Sequence, residues 1–170
     1  MAFGKFGRYH PDGVDVRVER FDLVALLRDE LAALAAGPGA AHRLRFETGA
    51  EACQLETDRE HVRYIVVNLL QNAVKYSRPG SEVRLALEVE GEQIRLRVSD
   101  EGIGVPEAEI AELFSPFYRA SNVESRPGTG MGLAIVKKSA GLIGARVSVD
   151  SPRGEGTAFT VVLGRRLERG

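Results

Sequence analysis

The spacing of hydrophobic residues alternates between a helical and a strand-like period along this chain, and this pattern constrains the fold most. Apolar positions keep helical spacing from Asp58 to about Ser77, and Asp58 is a suitable N-cap for this long helix. A first helix is predicted after the N-cap Asp22, and a third from Met131 to about Leu142. The pattern therefore predicts three substantial amphipathic helices.

Segments in which every second residue is apolar predict the strands. These segments are residues 15–21, 43–48, 53–57, 82–89, 93–99, 146–150 and 157–163. Short turn sequences join the last four into two β-hairpins. A short helix is predicted after Pro106, followed by a long loop over residues 115–129. The order of elements predicts an α+β fold, in which three main helices cover one face of a mixed, mostly antiparallel sheet.

Composition excludes several classes of function. The chain has 23 basic and 24 acidic residues, so it has no large positive field with which to bind nucleic acid. No apolar run approaches the ~20 residues that span a bilayer, and residues 1–13 contain no apolar stretch of signal-peptide length. Cys53 is the only cysteine, which excludes an internal disulfide. We expect a cytoplasmic domain, whether or not the full-length protein is anchored in a membrane.

The chain is predicted to contain one domain. Residues 1–13 are glycine-rich and show no period, so we interpret them as a linker or the remnant of a neighbouring domain. The remaining residues, 14–170, suit a single globular domain, because a chain of this size buries about 70% of the surface it exposes when unfolded.

Polar residues on the second helix are the first candidates for chemistry. Asn68 and Asn72 are four residues apart and lie within about 40° of each other around the helix axis. Lys75 falls on the same stripe, and Tyr76 lies at its edge. An amide oxygen is a hard ligand for Mg²⁺, and a lysine one turn away is a point charge for phosphate. A solvated helix face is the alternative that this pattern leaves open.

Glycine clusters near residues 100 and 130 are the second set of candidates. Asp100 follows a strand directly, so its carboxylate could accept a hydrogen bond from an exocyclic amino group. Gly102 and Gly104 would then let the backbone pass close to a flat ring. The run GTGMGL at residues 128–133 precedes the third helix, where backbone N–H groups can approach phosphate. Taken singly, each cluster is as compatible with an ordinary turn as with a phosphate site.

Together these segments resemble, in order and spacing, the ATP-binding catalytic domain of bacterial sensor histidine kinases, within the GHKL (Bergerat-fold) ATPase superfamily. The matching segments are NLLQNAVKYS at residues 68–77 (N box), DEGIG at 100–104 (G1 box), FSPFYR at 114–119 (F box), GTGMGL at 128–133 (G2 box) and GTAF at 156–159 (final strand). The resemblance covers about residues 21–163 and implies a two-layer α/β sandwich that binds ATP and Mg²⁺.

The resemblance assigns roles at the metal and phosphate end of the site. Asn72 would ligate Mg²⁺, and Asn68 beside it would support the site. Lys75 would contact phosphate, and Tyr76 would lie near the ribose or the phosphates. Arg119 would swing toward the γ-phosphate, so Asn68, Lys75 and Arg119 are the residues implied in phosphoryl transfer.

The resemblance also assigns roles at the adenine end and in the lid. Asp100, with Gly102 and Gly104, would read the adenine amino group, and Thr157 would hold a water that bridges to the ring. The lid would be residues 115–129, with Phe114 and Phe117 at its base. The nucleotide-binding residues implied in the G2 box are Gly128, Thr129, Gly130, Gly132 and Leu133.

Two departures from the family pattern shape the expected activity. None of the three histidines, His10, His42 and His61, is followed by an acidic residue as a phosphoacceptor histidine usually is. We therefore expect transfer to a histidine on a separate phosphoacceptor domain, of which residues 1–13 would be a remnant, and indirectly to a response regulator. Without phosphoacceptor helices, the isolated domain is expected to be a monomer.

The second departure concerns water activation. ATP-hydrolysing members of the superfamily carry a glutamate four residues before the metal-binding asparagine, where this chain has Asn68, which cannot serve as a general base. We expect slow intrinsic hydrolysis. The alternatives are another GHKL-type ATPase, a protein serine kinase, or a non-catalytic module that binds nucleotide or docks a partner.

Overall fold

The computed structural model describes residues 6–9, 15–102, 132–151 and 156–167, and helices and strands alternate along them. The described elements in chain order are β1 (Phe6–Tyr9), β2 (Asp15–Asp22), α1 (Leu23–Ala35), β3 (Arg43–Thr48), β4 (Gln54–Thr57), α2 (Arg59–Tyr76), β5 (Glu82–Glu90), β6 (Gln93–Asp100), α3 (Gly132–Leu142), β7 (Arg146–Asp150) and β8 (Thr157–Gly164). The three predicted helices and the seven predicted strands are confirmed. In β2, β4, β5, β6 and β8, one end of the strand differs by one residue from its predicted position.

Aspartate caps fix where the first two helices begin, as predicted. Oδ1 of Asp22 accepts a hydrogen bond from the N–H of Val24 at 3.1 Å and another from the N–H of Cys53 at 2.8 Å. Oδ1 of Asp58 accepts from the N–H groups of Glu60 at 3.0 Å and His61 at 3.2 Å. Asp22 therefore satisfies one N–H group, and Asp58 two, of those that the first helical turn leaves without a partner.

The strands form two sheets. The larger has the order β3-β5-β6-β8-β7, and its pairs are antiparallel except for the parallel pair β3–β5. The smaller has the order β1-β2-β4 and is antiparallel. In the larger sheet, the last residue of β6, Asp100, pairs with the first residue of β8, Thr157. This register places two predicted site residues side by side.

The helices pack against one face of the larger sheet, as predicted, and the core lies between these two layers. Contacts join α2 to β5, β6 and α3, and join α1 to β3. Val83 and Leu85 of β5 are fully buried, and Leu69 and Leu70 of α2 are each 1% exposed. Alternate residues of β6, such as Arg97, are exposed on the opposite face. This is the two-layer α/β sandwich that the resemblance implies.

Two strand pairings were not predicted from the sequence. Residues Phe6–Tyr9 form a strand whose backbone pairs with β2. After β8, the N–H of Glu56 donates to the carbonyl of Arg165 at 2.7 Å, and the N–H of Leu167 donates to the carbonyl of Glu56 at 2.7 Å. This second contact ties the smaller sheet to the end of the larger one.

Some predictions lie outside the described residues. They are the short helix after Pro106 and the loop over residues 115–129. Among the helices that the structure describes, none is both long enough and apolar enough to cross a membrane. Cys53 is buried, as expected for a small residue packed in the core.

Candidate functional site

The two asparagines of α2 turn their amide oxygens toward the start of α3. The amide Nδ2 of Asn68 donates to the carbonyl of Tyr64 at 2.6 Å, which directs its Oδ1 away from that turn. A Cβ placed on Gly132 would lie 3.3 Å from Oδ1 of Asn68 and 4.0 Å from Oδ1 of Asn72. Glycine at position 132 therefore leaves both oxygens accessible beside the first residue of α3.

This arrangement places two groups that could ligate a cation beside the start of a helix. Amide oxygens are neutral, hard donors of the kind that Mg²⁺ accepts, and the asparagine pair supplies two of them. The first N–H groups of a helix have no partner within the helix and favour a negative group. Since α3 begins at Gly132, its first turn lies next to the two oxygens. The residues present fit a magnesium ion, which these two amide oxygens would hold.

Lys75 and Tyr76 form the last turn of α2, one turn beyond Asn72. The Nζ atom of Lys75 lies 5.7 Å from the centroid of the Tyr76 ring, within the range of a cation–π contact. The Lys75 side chain is exposed, whereas Tyr76 is half-buried. The ammonium group is therefore held near the end of the helix.

Asp100 lies at the end of β6 in a partly buried position. Burial disfavours the charged carboxylate and raises the pKa of Asp100 from 3.8 to about 6. Backbone N–H groups of Gly102 and Thr157 stabilise the charged form and limit this increase in pKa. The N–H of Gly102 donates to Oδ1 of Asp100 at 2.7 Å. Such a carboxylate gains from any further hydrogen-bond donor that a ligand brings.

Two glycines allow the backbone to close around Asp100. A Cβ on Gly102 would lie 2.5 Å from Oδ1 of Asp100 and from the carbonyl oxygen of Tyr76. Gly156 has φ +84°, and a Cβ there would clash with the carbonyl oxygen of Asp100. An antiparallel bridge between Ser77 and Gly102 joins the end of α2 to the segment after β6. The N box and the start of the G1 box are therefore contiguous in space.

Two hydroxyl groups lie in contact near Asp100, one from Thr157 at the start of β8 and one from Ser151 directly after β7. Thr157 is 8% exposed, and its backbone pairs with Asp100. The hydroxyl of Ser151 donates to the carbonyl of Gly156 at 2.9 Å, and its Oγ lies 3.2 Å from Oγ1 of Thr157. Ser151 was not predicted as a site residue. Its position before Pro152, in a sequence that predicts a turn, was the available signal, since such residues bond to nearby backbone.

The structure brings the predicted residues together in two groups along α2. Asn68, Asn72 and Gly132 form one group, and Tyr76, Gly102, Asp100 and Thr157 form the other. Leu133 follows Gly132, and its partly buried side chain packs against the hydrophobic core. The predicted residues outside the described ranges are Gly104, Phe117, Arg119, Gly128, Thr129 and Gly130, together with Phe114 at the base of the lid.

Comparison with known proteins shows the family. Residues 57–167 match the family described as "Histidine kinase-, DNA gyrase B-, and HSP90-like ATPase". The sensor histidine kinase YkoH of Bacillus subtilis is 34% identical over 151 residues, which cover 88% of this chain and 32% of YkoH. Across eight such curated relatives, the chain spans between 11% and 32% of their length.

Solved structures agree in fold. A mycobacterial sensor histidine kinase, MprB, superimposes with a TM-score of 0.77 at 29% identity, covering 89% of this chain and 99% of that chain. The histidine kinase ThkA in complex with the response regulator protein TrrA gives a TM-score of 0.78 at 22% identity, covering 92% of this chain and 44% of that chain. Since the family match spans more than half of the sequence, this chain belongs to the histidine kinase-, DNA gyrase B- and HSP90-like ATPase family.

Proposed function

We propose that this chain is the catalytic domain of a sensor histidine kinase, which binds ATP with Mg²⁺ and transfers the γ-phosphoryl group to a histidine on a separate phosphoacceptor domain. The observation that carries this proposal is the convergence of the Asn68 and Asn72 amide oxygens on the start of α3. Relatives such as YkoH are named sensor histidine kinases, which supports the same assignment.

Phosphoryl transfer depends mainly on positioning the phosphates and neutralising their charge. Asn72 would hold Mg²⁺, with Asn68 beside it, and the metal supplies positive charge at the phosphate oxygens. The first N–H groups of α3 and the ammonium of Lys75 would bind phosphate oxygens directly. Asp100 would accept a hydrogen bond from the adenine amino group, and Arg119 would act from the lid.

Asn68 supports transfer to a protein rather than to water. An amide cannot accept a proton from water at neutral pH. The Nδ2 group of Asn68 already donates a hydrogen bond to the carbonyl of Tyr64. A water molecule in this site would therefore remain a poor nucleophile. An imidazole nucleophile from a phosphoacceptor domain needs no such base, because its neutral form already has a free lone pair.

The histidine that receives the phosphoryl group would come from another domain. Of the two histidines that the structure describes, His61 contacts Ser139 through Nδ1 at 3.2 Å, and both ring nitrogens of His42 are buried. Neither is presented as an acceptor.

A response regulator would take the phosphoryl group next, in the cytoplasm where ATP is available. The isolated chain is expected to sediment as a monomer at all concentrations.

The first experiment is a calorimetric titration with a non-hydrolysable ATP analogue and with GTP, each with and without Mg²⁺. Adenine-selective, Mg²⁺-assisted binding is expected. Labelled ATP is then mixed with the chain and with the phosphoacceptor domain of the same signalling system. The expected product is an acid-labile phosphohistidine that Asn72→Ala fails to form.

Each alternative function gives a different result in these assays. Acid-stable phosphoserine on a protein would identify a serine kinase. Rapid phosphate release by the chain alone, abolished by Asn72→Ala, would identify a hydrolysing ATPase. Absence of nucleotide binding would favour a non-catalytic docking module.

A further inference from the structure

The hydroxyl pair formed by Ser151 and Thr157 lies beside the proposed adenine-binding carboxylate. We propose that Ser151 fixes the polarity of the Thr157 hydroxyl, so that the site accepts a purine with a 6-amino group and rejects one with a 6-oxo group. Ser151 is then a positioning residue for nucleotide specificity. This inference rests on the proposed function, since it concerns the same nucleotide site.

The direction of the hydrogen bond made by the Thr157 hydroxyl follows from counting the hydroxyl hydrogens of Ser151 and Thr157. A serine hydroxyl carries one hydrogen, and Ser151 donates it to the carbonyl of Gly156, which can only accept. Oγ of Ser151 also lies 3.2 Å from Oγ1 of Thr157, so the hydrogen of this second contact comes from Thr157. The single hydroxyl hydrogen of Thr157 is thereby used. Toward any other neighbour, Oγ1 of Thr157 offers lone pairs only.

Asp100 and Thr157 present these acceptors together. The two residues are direct partners across β6 and β8, where opposite side chains have Cβ atoms about 4.5–5.5 Å apart. They share the sheet face of Val98 and Phe159, which are buried under the helices. At pH 8 the Asp100 carboxylate, whose pKa is about 6, is ionised and accepts only. This end of the site therefore offers hydrogen-bond acceptors side by side.

Such a surface distinguishes the two kinds of purine. A 6-amino group has two hydrogens to donate, whereas a 6-oxo group only accepts and would face the lone pairs of Thr157. A site of matched polarity rejects the wrong group strongly, because its buried polar atoms are left unpaired.

Gly156, the residue before Thr157, is held against the end of β6. Gly156 adopts φ +84°, and a Cβ there would clash with the carbonyl oxygen of Asp100. The carbonyl of Gly156 itself accepts the hydrogen bond from Ser151. Removing the Ser151 hydroxyl deprives Thr157 of the acceptor for its hydrogen. The Thr157 hydroxyl can then rotate and donate to a 6-oxo group.

The test compares ATP with inosine triphosphate, which carries a 6-oxo group, at pH 8 with Mg²⁺. Wild type is expected to prefer ATP. In Ser151→Ala, affinity for ATP falls while affinity for inosine triphosphate rises, and the preference changes by about tenfold, as expected from exchanging one hydrogen bond. Ser151→Thr keeps the hydroxyl and is expected to keep the wild-type preference.

Thr157→Val provides a second, independent variant if Ser151→Ala fails to fold. It removes the acceptor without creating a donor, so ATP affinity falls and inosine triphosphate affinity does not rise. A parallel loss of affinity for both nucleotides in Ser151→Ala would overturn the proposal, because a purely structural serine would act on both equally. Failure of wild type to bind ATP would instead contradict the proposed function.

Discussion

Proton uptake by Asp100 should weaken ATP binding as the pH falls through about 6. The pKa of this carboxyl is raised from 3.8 to about 6, because burial disfavours the charged form. If only the ionised form accepts the adenine amino group, the apparent dissociation constant increases by about tenfold between pH 7.5 and pH 5. The change is small above pH 7, where the group is already ionised.

The same raised pKa also affects the free energy of unfolding, in the opposite direction. Low pH favours the stability of the fold, whereas high pH favours ATP binding. Between pH 3.8 and about 6 the folded chain holds a proton on Asp100 that the unfolded chain has released, so stability falls as the pH rises through this window. Two units of pKa correspond to about 3 kcal/mol. Asp100→Asn should therefore raise the free energy of unfolding at pH 7.5 by up to about 3 kcal/mol in the absence of nucleotide.

The assay is a calorimetric titration with Mg-ATP at pH 5, 6, 7 and 8, with wild type and Asp100→Asn in parallel. The phosphates titrate identically in both proteins, so the difference between the two pH profiles isolates Asp100. Urea unfolding at pH 5 and pH 7.5 measures the stability effect. Identical binding profiles in both proteins, or a less stable Asp100→Asn at pH 7.5, would refute the reasoning.

Four further predictions concern other parts of the chain. Asn72→Ala should lower ATP affinity by about tenfold or more with Mg²⁺ but not in a chelator, measured by calorimetry, since a contact to a charged group is lost. Gly156→Ala should cost about 1–3 kcal/mol in urea unfolding, because φ +84° is unfavourable for alanine and a Cβ meets the carbonyl of Asp100. Leu85→Ala should cost about 2–5 kcal/mol, as Leu85 is fully buried, whereas the exposed Arg97→Ala on the neighbouring strand should change stability by less than about 0.5 kcal/mol. Arg119→Ala should leave ATP binding nearly intact and slow transfer to the phosphoacceptor histidine, measured with labelled ATP.

Elements with local determinants were predictable from the sequence. The caps Asp22 and Asp58 each bind N–H groups two or three residues ahead, so the residue type and its place before an apolar stripe suffice to locate them. Strand alternation likewise depends on neighbouring residues, which explains why strand ends were predicted to within one residue. The positions of Asn68 and Asn72 on one helix face follow from helical geometry alone.

Features that depend on contacts distant in sequence were not predictable. The strand β1 lies in a glycine-rich segment without a period, and its partner supplies the backbone hydrogen bonds that define it. The pairing of Arg165 and Leu167 with Glu56 joins segments about 110 residues apart, which no local pattern encodes. The raised pKa of Asp100 depends on burial, and Thr157 reaches Asp100 only through the pairing of β6 with β8.

The distribution of charge in the site follows from the charge of its proposed ligand. ATP is a polyanion, and carboxylates beside its phosphates would repel it, so neutral amides of Asn68 and Asn72 can contribute to a magnesium site without adding negative charge. The carboxylate of Asp100 lies instead beside Thr157 at the ends of β6 and β8, where the base would bind. Its burial costs stability when no nucleotide is bound, yet a charged, partly dehydrated acceptor discriminates between bases better than an exposed one. The same burial that destabilises the empty domain would therefore provide the proposed selectivity for an amino group.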